Sequence, residues 1–179
     1  MGLIGVVDRW MLRQALGMAR QGRVANLNIS ARTIGDPDLI EEICEAMTAV
    51  PEHAPKVIFE ITETAAIENL DAAREFTGRL LPLGCRFALD DFGTGFGSLT
   101  YLRHLPVEFL KIDQSFVRDV LSDADDRSMV RSVVAIAREL RLRTVAEGVE
   151  NRPTLDLLCD FGVDEMQGYL FGLPAPVAV

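Results

Sequence analysis

Short β-branched or apolar runs alternate along this chain with stretches whose apolar positions repeat at helical spacing. The runs are Val24–Ser30, Lys56–Glu63, Arg86–Asp91, Glu108–Asp113 and Arg143–Glu150, with a weaker sixth at Asp164–Phe171. Each is short enough for a strand, and helical patterns lie between them. Residues 37–50 predict a helix that starts with Pro37 in its first turn behind Asp36. Residues 70–83 predict another, ending at Gly84 as a left-handed cap. Residues 127–141 place Val130, Val133, Val134, Ala137 and Leu140 on one face. Asp125 and Asp126 precede that helix and Arg138, Arg141 and Arg143 close it, as the macrodipole favours. Residues 153–161 turn Leu155, Leu158 and Phe161 inward before Gly162. The acidic stretch Ser122–Asp126 reads as a solvated loop.

Strands alternating with helices imply a parallel sheet covered by helices. An open doubly wound sheet gathers its ligand loops at one switch point, whereas a barrel collects polar residues from many strand ends at one mouth. Here nearly every run ends in a candidate ligand: Asn28, Glu60, Asp90, Lys111, Glu147 and Gln167. That distribution favours an α/β fold of the (β/α) TIM-like barrel type. Only about six of the eight strands of such a barrel are present, so the barrel is expected to be incomplete at the N-terminus. No linker or low-complexity tract interrupts residues 1–179, which read as a single domain.

Composition narrows the function. The chain has 179 residues, of which 49% are apolar and 25% charged, a globular balance. Its net charge of −9 opposes non-specific binding to DNA. A phosphate-bearing ligand would need a local reversal of that field, and metal ions are the usual means. No apolar run is long enough to span a bilayer, and the N-terminus has no basic leader. Cys44, Cys85 and Cys159 are widely spaced and odd in number, so they read as reduced core residues of a cytoplasmic protein.

The chemistry concentrates where Arg86–Asp91 ends in two adjacent carboxylates followed by Gly93, Gly95 and Gly97. An isolated Asp-Asp at a strand end is most often a turn or a helix cap. Asn28, Glu60 and Lys111 taken singly are equally ordinary, and His53 and His104 read as non-catalytic. Parallel neighbouring strands, however, would bring Asn28, Glu60, Asp90 and Asp91 together, with Lys111 and Glu147 beside them. Oxygen donors without histidine or thiolate suit Mg²⁺ or Mn²⁺. Two such ions bridged by one carboxylate would serve phosphodiester hydrolysis, with a lysine orienting the water and a glutamate taking its proton. Asp91-Phe92-Gly93 also matches the metal-binding turn of protein kinases, but the chain has no glycine-rich phosphate loop and no His-Arg-Asp.

Six segments carry a family resemblance: Asn26–Ala31 (NLNISA), Phe59–Thr64 (FEITET), Ala88–Leu102 (ALDDFGTGFGSLTYL), Leu110–Val117 (LKIDQSFV), Ala146–Asn151 (AEGVEN) and Gln167–Pro174 (QGYLFGLP). In order and spacing the chain resembles the EAL domains of bacteria, which hydrolyse cyclic di-GMP to linear pGpG. The resemblance implies a modified (β/α) barrel with Asn28, Glu60 and Asp90 as metal ligands, Asp90 bridging two Mg²⁺ or Mn²⁺ ions. It implies that Asp91 completes the second ion's shell, that Lys111 positions the attacking water, and that Glu147 is the general base or a second-metal ligand. Glu63 would anchor the loop Phe92–Ser98, and Glu150 and Gln167 match further site residues. Gly97 stands where the family's loop carries a serine, which is expected to loosen that loop modestly.

EAL domains also carry two strands and the Glu-Ala-Leu motif before the position of Met1. The chain is therefore expected to be truncated, with a weakened metal site and an open sheet edge at Val24–Ser30. Two functions stay open: a metal-dependent cyclic di-GMP phosphodiesterase, and a catalytically impaired module that binds cyclic di-GMP or a protein. An upstream sensor or cyclase domain and a homodimer are the expected partners.

Overall fold

The computed structural model describes residues 3–94 and 99–175. They fall into two compact units, Met1–Ala88 with Gly97–Val107 and Leu89–Phe96 with Glu108–Val179. The expectation for Gly97 and for most of its loop lies outside the described residues. Six strands are hydrogen-bonded in chain order, β1 to β6, and helices connect them. This is the repeating β/α pattern of a TIM-like barrel, with six strands among the described residues.

In the first unit, α1 (Leu3–Arg20) leads to β1 (Ala25–Ile29), α2 (Ala31–Ile34), α3 (Pro37–Thr48), β2 (Val57–Thr62), α4 (Glu63–Glu68) and α5 (Leu70–Leu80). β1 and β2 run parallel with Asn28 opposite Glu60. α3 starts as the sequence predicts. Asp36 caps it by accepting from the backbone N–H of Asp38 and Leu39, and Pro37 sits in the first turn. Its face Leu39, Ile40, Ile43, Cys44 and Met47 is buried, the i, i+3, i+4 stripe of an amphipathic helix. The helix predicted over 70–83 leaves α geometry at Leu80. Leu81–Leu83 tighten into a 3₁₀ turn at Pro82, which lacks an N–H, and Gly84 closes the turn at φ 91°. Phe59 on β2, Phe76 on α5 and Phe87 of the strand Arg86–Phe92 form the centre of the core, with ring centroids 5.7–6.1 Å apart. Asp8 on α1 accepts from Ser30 Oγ at 2.9 Å and from Thr33 Oγ1, tying α1 to the cap of α2.

β3 (Arg86–Phe92) belongs to both units. The second unit continues with β4 (Phe109–Ile112), α6 (Gln114–Arg118), α7 (Ala124–Leu140), β5 (Arg143–Ala146), α8 (Arg152–Phe161) and β6 (Glu165–Met166). β4, β5 and β6 pair in parallel, Lys111 opposite Val145 and Ala146 opposite Met166. Three expectations change here. Ser122–Asp126 is not a loop throughout: Asp123 caps α7 through the backbone N–H groups of Asp125 and Asp126, which form its first turn. β5 ends at Ala146, short of Glu150, because the chain turns out of the strand at Gly148, φ 69°. Cys159 is exposed, unlike the buried Cys44 and Cys85, because it lies on the outer face of α8 while Leu158 faces in.

Candidate active site

The site in the second unit is assembled where β3, β4 and β5 end. β4 is buried at every position, and one of its four residues is Lys111, 3% exposed. A lysine so deeply buried needs compensating charge. Its Nζ lies 2.9 Å from Asp90 Oδ1 and 2.5 Å from Glu147 Oε1, so one ammonium bridges a carboxylate on β3 and one just past the end of β5. Asp90 is itself 7% exposed.

Asp91 follows with φ 55°, a left-handed backbone unusual for a residue with a side chain. A tight turn holds it there. Its N–H donates to Asp90 Oδ1 at 3.0 Å, and its carbonyl accepts from Thr94 Oγ1 at 2.8 Å and Thr94 N at 3.3 Å. The reversal turns consecutive carboxylates toward a common point instead of opposite faces of the sheet. Oxygens of Asp90, Asp91 and Glu147 lie within 4.8 Å of one another.

Burial pushes the Asp91 carboxyl above its ordinary value, and the negative charges of Asp90, Asp113 and Glu147 add to the shift. Asp113 moves the other way. Burial alone would raise it, but hydrogen bonds from the Ser115 hydroxyl, the Ser115 N–H, the Asp91 carboxyl and the Gln114 N–H outweigh burial and lower it. The two hydrogen-bonded carboxyls are thus shifted in opposite directions, Asp91 up and Asp113 down, so that of the pair Asp91 takes up a proton first as pH falls. Sequence reasoning missed Asp113. Its signal was its position two residues after Lys111 at the exit of the same strand, where it also caps α6.

Glu147 Oε1 accepts a second donor, Gln167 Nε2, at 2.8 Å. Gln167 is placed by the backbone: its N–H donates to Ala146 O at 2.9 Å and its carbonyl accepts from Val149 N at 3.0 Å. Beside these groups opens a cleft of about 510 Å³. Glu147, Glu150, Gln114 and Gln167 line its polar side, and Tyr169, Leu173 and Pro174 its apolar side.

The structure therefore brings Asp90, Asp91, Lys111, Glu147 and Gln167 into one cluster, with Glu150 on the wall of the adjoining cleft. In the first unit, Asn28 and Glu60 are register partners at the ends of β1 and β2, and Glu60 is 4% exposed. Glu63 is buried in the first turn of α4, behind the Thr62 cap. Its expected anchoring of the loop concerns Gly95–Ser98, outside the described residues.

The donors of the acidic cluster are oxygens only, and two of its three carboxylates, Asp90 and Glu147, share Lys111. That set fits hard divalent cations of the Mg²⁺ or Mn²⁺ kind and offers nothing to soft metals.

A parallel β/α chain with an acidic, cation-competent cluster at its strand ends belongs to the class of TIM-like barrels that work at the C-terminal mouth of the sheet. The EAL domain family profile matches residues 1–174, and the chain belongs to that family. It is 37% identical over 182 residues to the cyclic di-GMP phosphodiesterase PdeB of Shewanella oneidensis, covering 98% of this chain and 21% of that protein. It is 35% identical over 182 residues to the bifunctional diguanylate cyclase/cyclic di-GMP phosphodiesterase MucR of Pseudomonas aeruginosa, covering 98% of this chain and 27% of that protein. A solved structure of the PaMucR phosphodiesterase in complex with c-di-GMP matches with a TM-score of 0.89 and 34% identity, over 98% of this chain and 74% of that one. The fold is thus the incomplete TIM-like barrel of an EAL domain. The chain spans about a fifth to a quarter of the length of the curated relatives.

Proposed function

We propose that residues 1–179 act as one EAL-type domain that hydrolyses cyclic di-GMP to linear pGpG with divalent metal. The observation that carries this reading is the Asp90–Asp91–Glu147 cluster bridged by buried Lys111. It is supported by the named activity of PdeB and by the bound nucleotide of the PaMucR structure. Mg²⁺ or Mn²⁺ held by Asp90 and Asp91 would polarise the phosphate and acidify the attacking water. Asn28 and Glu60 are further oxygen donors of the family's kind.

Lys111 keeps Asp90 and Glu147 at a fixed separation and places a positive charge where phosphate oxygens arrive. Glu147 is the proposed proton acceptor, oriented by Lys111 and Gln167 through Oε1. Glu150 and Gln114 offer hydrogen-bonding groups to the ligand's polar edges. Tyr169, 60% exposed on the cleft wall, presents a flat face against which a nucleobase stacks.

The wider setting is read the same way. An upstream sensor or cyclase domain is supported by the two activities named for MucR. A homodimer is the proposed assembly. Among the described residues no helix is long and apolar enough to cross a membrane, and the cytoplasm is the proposed compartment.

The test is turnover of cyclic di-GMP, followed by separating cyclic from linear dinucleotide, with Mg²⁺ or Mn²⁺ and with chelator. Metal-dependent formation of pGpG that disappears in Asp90→Asn supports the reading. Cleavage that persists in chelator overturns the metal mechanism, and calorimetric binding of cyclic di-GMP without cleavage identifies the chain as a binding module.

A further inference from the structure

β6 is two residues long, yet it carries Gln167 to Glu147. Two residues make too few ladder bonds to define their own register, and a slip of one residue would turn the following side chain to the opposite face. The register is therefore shared with contacts beyond the two strand residues: the Gln167 backbone bonds to Ala146 O and Val149 N–H on one side, and a side-chain knot holds the start of the strand on the other.

At the start of the strand pair, Asp164 and Thr144 are tied by three hydrogen bonds. Asp164 Oδ2 accepts from Thr144 N at 2.8 Å and from Thr144 Oγ1 at 2.8 Å, while Asp164 N donates to Thr144 Oγ1 at 3.0 Å. Thr144 is 1% exposed, so its N–H and hydroxyl lack water as an alternative partner. Past the strand, Gly168 sits against the backbone of Val149, where a Cβ would approach Val149 N to 2.3 Å. Between these two fixed points the Gln167 side chain reaches Glu147 Oε1.

We propose that Asp164 is a positioning residue for the site: its knot with Thr144 sets the register of β6 and so delivers the Gln167 amide to Glu147 Oε1. The catalytic consequence rests on the phosphodiesterase reading, whereas the positioning does not. Asparagine keeps an acceptor oxygen for both Thr144 donors, so Asp164→Asn preserves the knot. Alanine removes the acceptor and leaves Thr144 N–H buried without it.

The first test is independent of activity. The side-chain amide resonances of Gln167 are identified by their loss in Gln167→Ala, then followed in Asp164→Asn and Asp164→Ala. They are expected to hold in the first and to move in the second. Unmoved resonances in Asp164→Ala overturn the proposal. Thr144→Val, which removes only the hydroxyl, is expected to move them less and replaces Asp164→Ala should that variant not fold.

The second test is kinetic. Asp164→Ala and Gln167→Ala are each expected to lower kcat about 10-fold, the loss typical when support behind a catalytic group is removed. The double variant is expected to be no slower than Gln167→Ala alone. Multiplying losses would show that Asp164 acts independently of Gln167 and overturn the proposal. If the parent chain does not cleave cyclic di-GMP, the functional reading fails while the amide resonances still decide the positioning.

Discussion

Asp91→Asn should make the metal-free protein more stable while weakening its hold on metal. The substitution removes one negative charge and little else. Asparagine tolerates the left-handed backbone that Asp91 adopts at φ 55°, and its amide can donate to Asp113 at every pH, as the carboxyl does only once protonated. Carboxylate oxygens within 4.8 Å repel by about 1 kcal/mol per pair in water and by about 3.5 kcal/mol at an effective dielectric constant of 20. Asp91 is partly exposed, and Lys111 offsets the charge of Asp90 and Glu147, so the net gain is set low, at about 1–2 kcal/mol. In a chain of this length that raises Tm by roughly 2–8 °C. The sign with pH follows from the raised Asp91 value. The native state takes up the Asp91 proton at higher pH than the unfolded chain, so the wild type gains stability as pH falls and loses it as pH rises through the native value. The advantage of the variant is therefore full at neutral pH and shrinks toward zero in acid. Urea unfolding in chelator between pH 4.5 and 8 measures it, and repeating the series with Mn²⁺ should reverse the order, because ligand bound only to the native state stabilises it. A variant no more stable than wild type in chelator at pH 7, or an advantage that does not decline in acid, refutes the electrostatic reasoning.

Lys111→Met leaves Asp90 and Glu147 partly buried without their shared cation, and should cost about 3–5 kcal/mol in chemical denaturation together with loss of turnover; a cost below 1 kcal/mol would contradict the bridging role. Thiol labelling of the native protein should modify exposed Cys159 first, whereas Cys85, pushed by burial up to about 12, stays a protonated and inert thiol until the chain unfolds. Tyr169→Ala should raise KM about 10-fold with kcat little changed, the outcome expected of a ring on the cleft wall that is proposed to stack on the base and not on the reacting phosphate; a fall in kcat at constant KM would remove Tyr169 from base binding.

The strand–helix alternation was legible from Val24 onward because the first five strands lie in short apolar or β-branched runs and the helices predicted between them carry amphipathic stripes with capping residues, as at Asp36–Pro37 and Gly84; the helix Leu3–Arg20 was not among those predicted from the pattern. The boundaries that moved are those decided by single residues under tertiary control. Pro82 converts the end of a helix to 3₁₀ geometry, and Gly148 ends β5 while the apolar pattern runs on through Val149. Asp90, Lys111, Glu147 and Gln167 were legible as a rim because they close successive strands. The roles of Asp113 and Asp164 were not, since both look like ordinary turn aspartates. Their meaning depends on partners 22 and 20 residues away, Asp91 and Thr144, and no local pattern reports a contact at that distance.

The cluster also explains why its scaffold is so heavily capped. A buried lysine, a left-handed aspartate and three converging carboxylates each work against folding, and none adds apolar burial. What holds them is placed just outside: Thr94 fixes the Asp91 turn, Ser115 and Gln114 keep Asp113 ionised, Gln167 steadies Glu147, and Asp164 steadies Gln167. Each supporting bond belongs to a cap, a turn or a strand edge that the fold already needs. The chain can therefore hold its carboxylates close together, because Lys111 supplies part of the positive charge that the proposed metal ions would bring.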